Sequence, residues 1–357
     1  MRLQAVRMPA AWKVEPLDLD NADAITKAAY LRVAQHSHNE AIPADGPVPE
    51  DELWHGVQNI NAGQPKHYWA VWDENRTDLA GVLCVSWEDY GDNAEMSWIE
   101  IDVMPAFRRQ KLGATLAQAG VEFAKENSRG LCGFDASNHV PAGWDFLKAI
   151  GAEHKLTGRF SMLKFADVDR PLLEGWVARA AERASDYEVL RWDGPCPDEY
   201  VEAFVNEQNV MNTAPIENLE LEDEVFTVER LRDREKMQAH RRIDQSTLVA
   251  RHVPSGEIVA HSDVWLPQRW PTKAYQNDTG VNPAHREKGL GRWLKAQMLL
   301  NLMNERPQID NISTWNAGSN AAMLGINYAM GFKTVSEFGE HQVRADVALE
   351  KLTALLG

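Results

Sequence analysis

Apolar residues follow two repeating patterns along the first half of the chain. Apolar positions two apart predict strands, and apolar positions three or four apart predict helices. Strands are predicted at 12–19, 67–73, 79–87, 95–104, 131–136 and 154–165. Helices are predicted at 21–36, 50–60, 112–126 and 141–150. Strands and helices therefore alternate in a β-α-α-β-β-β-α-β-α-β order.

The second half repeats this order. Strands are predicted at 187–192, 245–252, 257–266, 274–281, 311–315 and 334–344. Helices are predicted at 197–209, 227–241 and 320–330, and another begins at Leu290, with Leu294, Met298 and Leu302 forming a core stripe four residues apart. We therefore predict an α/β (α+β) fold in which helices flank a mixed sheet, present twice. A helical connector is expected at 166–186 and a short helix at 347–356.

One motif also occurs twice. Val103-Met-Pro-Ala-Phe-Arg-Arg-Gln-Lys-Leu-Gly113 returns 178 residues later as Val281-Asn-Pro-Ala-His-Arg-Glu-Lys-Gly-Leu-Gly291, with six identical positions. A period of half the chain indicates a duplicated domain. We predict an N-terminal domain at 1–166, a connector at 167–186 and a C-terminal domain at 187–357.

The second copy of the motif has the pattern of a phosphate-binding loop. A strand ends at Val281 and a helix opens at Gly289, which leaves free backbone N–H groups at a helix N-terminus. Glycines at 289 and 291 allow close backbone approach, and Arg286 and Lys288 can add positive charge. The alternative is a glycine-rich helix start with surface charges.

With these residues the chain resembles the GNAT superfamily of acyl-coenzyme A-dependent N-acyltransferases. Its Gln/Arg-x-x-Gly-x-Gly/Ala signature is matched by Arg286–Gly291, and its Asn followed by Gly-Phe is matched by Asn320 and Gly331-Phe332. Residues 314–317 are similar to those of actinobacterial two-domain members, mycothiol synthase-like enzymes among them. The resemblance implies two tandem GNAT-like domains. It also implies a transferase that moves the acetyl group of acetyl-CoA directly to the primary amine of a small molecule.

The resemblance further implies which residues act. The pyrophosphate of coenzyme A would lie on the loop, and a backbone N–H of the strand 274–281 would polarise the thioester. Asp278 is the candidate base or water-positioning group, equivalent to Glu100 in the first half; the alternative is a strand-end acid that meets a loop donor. The cofactor-binding candidates are Val281, Arg286, Glu287, Lys288, Gly289, Leu290, Gly291, Arg292, Asn316 and Asn320.

The chain departs from the family pattern in both halves. Many members carry a Tyr four residues before the Gly-Phe; here Asn327 holds that position and is the second catalytic-site candidate, while Tyr328 is rotated by about 100° around the helix. The general acid is therefore left unassigned. In the first half Lys111 replaces the first glycine, where it could block the site or contact phosphate itself. We expect the C-terminal domain to carry catalysis and the N-terminal domain to be degenerate.

Composition narrows the partners. A net charge of −16 argues against broad nucleic-acid binding, and three cysteines without metal-like spacing fit a reducing cytosol. No signal core or membrane-length apolar run is visible in the sequence, so we expect a cytoplasmic protein. No metal site is expected, because His36 and His38 have no third ligand nearby and there is no His-Glu-x-x-His motif. Either a monomer or a homodimer is expected. Two further functions stay open: a non-catalytic acyl-CoA sensor, and an acyltransferase that acts on a protein amine.

Overall fold

The computed structural model describes residues 12–58 and 63–357. These residues form two compact units, each completed by a strand from the other half of the chain. The first unit runs to Lys155 and also includes Gly339–Gly357, whereas the second comprises Leu156–Phe338. The sequence-based domain limits follow the repeat and contain no such exchange.

In the first unit the sheet order is β1-β2-β3-β4-β5, followed by β12, whose residues from Gly339 belong here. Its strands are β1 (Glu15–Pro16), β2 (Lys66–Trp72), β3 (Leu79–Ser86), β4 (Met96–Val103), β5 (Leu131–Ser137) and the shared β12 (Lys333–Arg344). Its helices are α1 (Ala24–Ala41), α2 (Glu50–Val57), α3 (Leu112–Glu126), α4 (Pro141–Ala149) and α10 (Ala345–Leu356).

In the second unit the order is β6-β11-β10-β9-β8-β7, and the residues of β6 from Leu156 belong to it. The strands are β6 (Glu153–Lys164), β7 (Tyr187–Asp193), β8 (Ile243–His252), β9 (Ile258–Pro267), β10 (Lys273–Val281) and β11 (Asn311–Ala317). The helices are α5 (Arg170–Arg183), α6 (Val201–Gln208), α7 (Val228–His240), α8 (Leu290–Glu305) and α9 (Ala321–Met330).

The mixed α/β fold predicted from the sequence is confirmed. Only β10 and β11, and likewise β4 and β5, run parallel among the pairs with a defined register. The predicted stripe of α8 is buried, since Leu290, Leu294, Met298 and Leu302 are each at most 3% exposed. Each such leucine contributes roughly 1.5–3 kcal/mol by its burial. This core fixes α8 and the loop before it against β10.

Several element predictions were wrong in extent, among them three in the first half. The strand predicted at 12–19 is reduced to Glu15–Pro16, and Pro16 has no amide N–H to continue the ladder. The helix predicted from residue 21 begins at Ala24, because the Asp23 side chain caps it by accepting from the Thr26 N–H. The helix predicted at 50–60 ends at Val57, and residues 59–62 lie outside the described chain. No helix in the described ranges has both the length and the apolar content needed to cross a membrane.

Candidate functional site

Strand β10 leaves its parallel neighbour half-way along its length. Residues Lys273, Ala274 and Tyr275 pair with β11, but no pair follows Tyr275↔Ser313 although both strands continue. The first unit has the same opening, because β4 and β5 pair only as far as Trp98↔Gly133. The backbone groups on this edge of β10 are therefore not used in a ladder with β11, and they are available to a ligand.

Beyond β10, the loop takes a backbone path with two left-handed residues. Glu287 has a φ of 65° and Gly289 a φ of 83°. The first unit repeats this path with Arg109 at 62° and Lys111 at 64°. A left-handed non-glycine residue costs roughly 1–2 kcal/mol, so the fold maintains the conformation against this cost. A backbone in which left-handed residues alternate with other conformations turns its N–H groups inward, as in anion-binding nests.

The loop ends at the uncapped start of α8. Gly289 is the N-cap residue of α8, and no side chain caps its first turn. The first N–H groups of a helix have no intrahelical partner, and with the helix dipole they favour an anion. A Cβ built on Gly289 would meet no atom within 4 Å, so the space in front of the turn is open. The predicted phosphate loop thus has the backbone geometry that this chemistry needs.

The Arg286 side chain forms hydrogen bonds to other residues of the chain. Its Nε donates to the Val281 carbonyl at 3.0 Å, and its Nη2 donates to Thr213 Oγ1 at 2.5 Å. The equivalent Arg108 donates Nε to the Val103 carbonyl at 2.9 Å. These bonds explain why the Val and the Arg recur together in the motif. Arg286 holds the loop, a role that the sequence analysis did not foresee.

The other cofactor candidates occupy different surroundings. Exposed Lys288 donates Nζ to Tyr187 Oη at 2.7 Å, and exposed Arg292 lies 4.8 Å over the Trp176 ring. Glu287 is exposed, whereas Leu290 belongs to the core. Gly291 packs close to the half-buried Val281, because an added Cβ would lie 3.4 Å from that side chain.

The side chain of Lys111 extends from the first loop to the end of α10. Its Nζ donates to the Leu356 carbonyl at 2.8 Å, near the end of α10 in the same unit. A cation is favourable at a helix C-terminus. The sequence left two roles open for Lys111, blocking the site or contacting phosphate. The bond to Leu356 requires neither role, and it stabilises α10 against the loop.

Three asparagines of the predicted site lie in β11 and α9 or at the start of α9, namely Asn316, Asn327 and Asn320. Asn320 caps α9 by accepting from the Met323 N–H at 3.2 Å. Asn327 is fully buried and donates Nδ2 to Asn316 Oδ1 at 2.7 Å, which ties α9 to β11. Tyr328 is 43% exposed, and its hydroxyl contacts Arg159 at 3.2 Å and Thr334 at 3.1 Å. Asn327 and Tyr328 therefore point into different surroundings.

A bulge in β10 brings Asp278 to a group of residues that sequence reasoning missed. The pairing of β10 with β9 shifts between Gln276 and Thr279, so Asn277 and Asp278 together stand opposite Asp263. Asn277 Nδ2 donates to Asp263 Oδ2 at 3.1 Å and to Asp278 Oδ2 at 3.3 Å. His261 joins them: one ligand-type atom each of His261, Asp263 and Asp278 lie within 4.8 Å of one another.

This acid cluster, defined as His261, Asp263, Asp278 and Glu207, is set in a buried environment. Burial, reinforced by the charge of Asp278, raises the pKa of Asp263 to about 6. Burial also raises the pKa of Glu207, whose Oε1 lies 3.7 Å from His261 Nδ1. One imidazole and two carboxylates could also bind a metal ion. The spacing of these residues in the sequence does not indicate such a site.

A signal for the cluster was present in the sequence. In the mostly apolar strand β9, His261 and Asp263 stand two residues apart and therefore on one face. The first unit differs at the matching positions: Val82 and Cys84 of β3 pair with β4, whereas in the second unit His261 pairs with β10 and Asp263 stands opposite the bulge. No bulge interrupts the β3–β4 register. The acid cluster thus belongs to the second unit.

Known proteins identify the fold. Residues 32–144 match the acetyltransferase (GNAT) family model. In structure the chain is similar to a tandem GNAT protein from the clavulanic acid biosynthesis pathway, with a TM-score of 0.73 and 20% identity over 93% of this chain and 98% of that one. It is also similar to a GCN5-related N-acetyltransferase from Sphaerobacter thermophilus, with a TM-score of 0.67 and 13% identity over 95% and 97% of the two chains.

None of the curated proteins matches the chain in sequence. At these identities the structural likeness establishes the fold alone, which is that of tandem GNAT proteins along nearly the whole chain. The family match itself lies in the first half, whereas the intact loop signature and the acid cluster lie in the second.

Proposed function

We propose that the chain is an N-acetyltransferase whose second unit transfers the acetyl group of acetyl-CoA to the primary amine of a small molecule. The observation that carries this proposal is the use of both sides of β10. One edge is open towards β11 and leads into the uncapped loop at Gly289, and the opposite side carries Asp278 beside Asp263. A donor and an acceptor can therefore meet at one strand.

Acetyl-CoA fits the residues present. The loop 286–291 would hold its pyrophosphate through backbone N–H groups, and the open edge of β10 would accept the pantetheine as a further strand-like partner. When bound, acetyl-CoA supplies a thioester carbonyl; the amine nitrogen forms a bond to that carbon, the carbon–sulfur bond breaks, and amide and thiol are released. The open space in front of Gly289, where the first loop carries Lys111 instead, supports assigning this role to the second loop.

The chain must take one proton from the amine. Asp278 is the candidate base, because it is half-buried, lies in the bulge of β10 and is oriented by the Asn277 amide. The thiolate must receive a proton in turn. No side chain is assigned to that step, because Asn327 has no acidic proton and Tyr328 is bound to Arg159 and Thr334.

Several finer points stay predictions. They are the mycothiol synthase-like specificity, the domain limits 1–166 and 187–357, and the monomeric or dimeric state. The three cysteines are free and buried, which supports the cytoplasm as the proposed location.

The decisive experiment measures thiol release from acetyl-CoA with a panel of small amines, together with calorimetric titration of coenzyme A. Release that depends on the amine, and that Asp278→Asn abolishes, supports the proposal. Coenzyme A binding without release on any amine favours a sensor. Release only with lysine-containing peptides favours a protein acceptor. No coenzyme A binding rejects the proposal.

A further inference from the structure

The sheet face of the second unit that carries the acid cluster is unusually polar for a buried surface. His261 is fully buried with no hydrogen bond to either ring nitrogen, and Asp263 is 1% exposed with no hydrogen bond to Oδ1. Gln208 of α6 is also fully buried, and neither of its amide atoms has a partner. Folded proteins leave few buried polar groups unpaired, so a concentration of them points to a polar ligand.

The negative charges of this face outnumber their protein donors. Asp263, Asp278 and Glu207 bring three carboxyl groups; Asn277 donates to the first two, and Gln245 Nε2 also donates to Asp263 Oδ2 at 3.2 Å. Burying carboxylates without a cation is costly. An ammonium group, with three donors around one positive charge, matches Asp263 Oδ1 and the neighbouring Asp278.

Arg234 of α7 carries a positive charge that acts on Asp263. Its guanidinium favours the ionised form of Asp263 and so opposes the effect of burial on the pKa of that carboxyl. Arg234 Nε and Nη2 are buried without a hydrogen-bond partner, and the ring of Phe226 lies 6.0 Å away.

Other arginines of α7 are already paired. Arg230 forms an ion pair with Glu224, and Arg232 forms ion pairs with Asp198 and Glu235. Among the described residues, Arg234 forms no ion pair. A guanidinium with two unused N–H groups is suited to a carboxylate, which accepts from both at once.

We propose that the acceptor is an amino-carboxylate: a small molecule whose primary ammonium is bound by Asp263 and Asp278 and whose carboxylate is bound by Arg234. The inference rests on the proposed function and narrows its substrate class. Asp263 is a positioning residue that acts with Asp278, and Arg234 determines specificity. On entry the ammonium gives one proton to the carboxylate pair. The neutral amine then attacks the thioester carbon, the carbon–sulfur bond breaks, and the second proton lost by nitrogen balances the proton that the departing thiolate gains.

A divalent cation at the same residues is the competing occupant. Two observations favour the ammonium: Arg234 repels a divalent cation more strongly than a monovalent ammonium, and the Asn277 amide hydrogens already cover one oxygen of each carboxylate, which leaves fewer ligand atoms for a metal. Both features weaken a metal site.

The test uses the full chain without acetyl-CoA and a series of amino acids of increasing length. Calorimetry measures the binding of β-alanine, γ-aminobutyrate and ε-aminocaproate, of the alkylamines of matching length, and of the matching carboxylic acids. We expect one length in the series to bind at least tenfold more tightly than its alkylamine. The length that binds best reports the spacing between Asp263 and Arg234.

The variants assign the two ends. Arg234→Met is expected to lower amino-acid affinity at least tenfold to the level of the alkylamine, while Arg234→Lys restores part of it. Asp263→Asn is expected to weaken amino acids and alkylamines alike. Lys236→Met removes an exposed charge from the same helix and is the matched control, expected to change affinity less than twofold. Circular dichroism confirms that each variant is folded.

Three results would overturn the inference. Equal binding of amino acids and alkylamines in the wild type would remove the anionic end, even if thiol release supports the proposed enzyme. Unchanged amino-acid binding in Arg234→Met would do the same. Micromolar binding of Zn²⁺ or Mn²⁺ that is lost in His261→Ala, without binding of any amine, would make the cluster a metal site. Absence of coenzyme A binding tests the proposed function separately.

Discussion

Arg286 donates its Nε to the carbonyl of Val281, five residues earlier, at 3.0 Å, and so closes the loop that leads into α8. The same bond joins Arg108 to Val103 at 2.9 Å in the first unit. A repeated residue pair is thereby explained by a repeated contact. The loop conformation is built by side-chain bonds before any anion is present.

Replacing Arg286 with Lys keeps the charge but removes the second donor. We expect coenzyme A to bind about tenfold more weakly, because each lost hydrogen bond costs about 1 kcal/mol and the loop loses its preset form. Calorimetry measures the change. Arg108→Lys is the matched control in the first unit, with affinity expected within about twofold of wild type. Wild-type affinity in Arg286→Lys would show that charge alone matters.

Exchanging the residues at Gly289 and Lys111 tests which loop binds coenzyme A. Gly289→Lys should raise the Kd at least tenfold, because a long side chain then stands where the backbone must approach phosphate. The variant should still fold, since Lys111 shows that this loop accepts a left-handed lysine at a cost of roughly 1–2 kcal/mol.

The reciprocal change, Lys111→Gly, should leave coenzyme A affinity at least as high as in wild type. The family match to residues 32–144 makes the first unit a real competitor for this role. Loss of affinity in Lys111→Gly, with none in Gly289→Lys, would move the site to the first unit.

The acid pair predicts a pH dependence. Burial and the nearby charge of Asp278 raise the pKa of Asp263 to about 6. Below that pH the pair holds a proton and accepts another poorly, so kcat/KM with the best amine of the panel should fall as the pH drops through 6. Asp263→Asn should lose this limb, whereas persistence of the limb would assign it to another group.

Asp278→Asn should lower kcat by roughly 10²–10⁴-fold, the range of general-base catalysis. Coenzyme A affinity, measured by calorimetry, should stay unchanged, because Asp278 is not part of the loop 286–291 that would bind phosphate. Glu100→Gln changes the equivalent acid of the first unit and serves as the control. A kcat that is unchanged in Asp278→Asn would clear this residue of the base role.

The sequence was sufficient to predict the order of the helices and strands and the position of the loop, because both depend on local periodicity and on glycine. The stripe from Leu290 to Leu302 and the turn at Gly289 are properties of neighbouring residues. Three features lie beyond such reasoning. The exchange of β6 and β12 between the units depends on long-range strand pairing. The bulge at Asn277–Asp278 depends on the register with β9, and the bonds of Arg286 depend on the position of Thr213.

Tyr328 provides a test of the unassigned acid. Its hydroxyl accepts from Arg159 and contacts Thr334, and these contacts, that of Thr334 first, lower the pKa of the phenol. We expect Tyr328→Phe to change kcat less than about twofold. A loss of 100-fold, with the pH–rate profile altered on its alkaline side, would instead make Tyr328 the group that protonates the thiolate.

Lys295 of α8 gives a prediction about stability. It is 2% exposed, its Nζ lies 5.8 Å from the centre of the Phe332 ring, and burial lowers the pKa of its amine from 10.5 to about 7. Below pH 7 the folded chain therefore buries a charge that the unfolded chain keeps in water. This penalty is on the order of 5 kcal/mol. It shrinks as the pH rises, because between about pH 7 and 10.5 only the unfolded state stays protonated.

Lys295→Met should accordingly unfold at a higher urea concentration than wild type at pH 7, and the two midpoints should converge by pH 10. The physical reason is that Met fills a similar volume without a charge to desolvate. Urea titrations followed by circular dichroism at pH 7, 8.5 and 10 measure this. Lys236→Met, at an exposed position of α7, should show a difference that does not change with pH. A constant gap for Lys295→Met would show that the buried amine is charged throughout, so that Phe332 and its surroundings stabilise the cation.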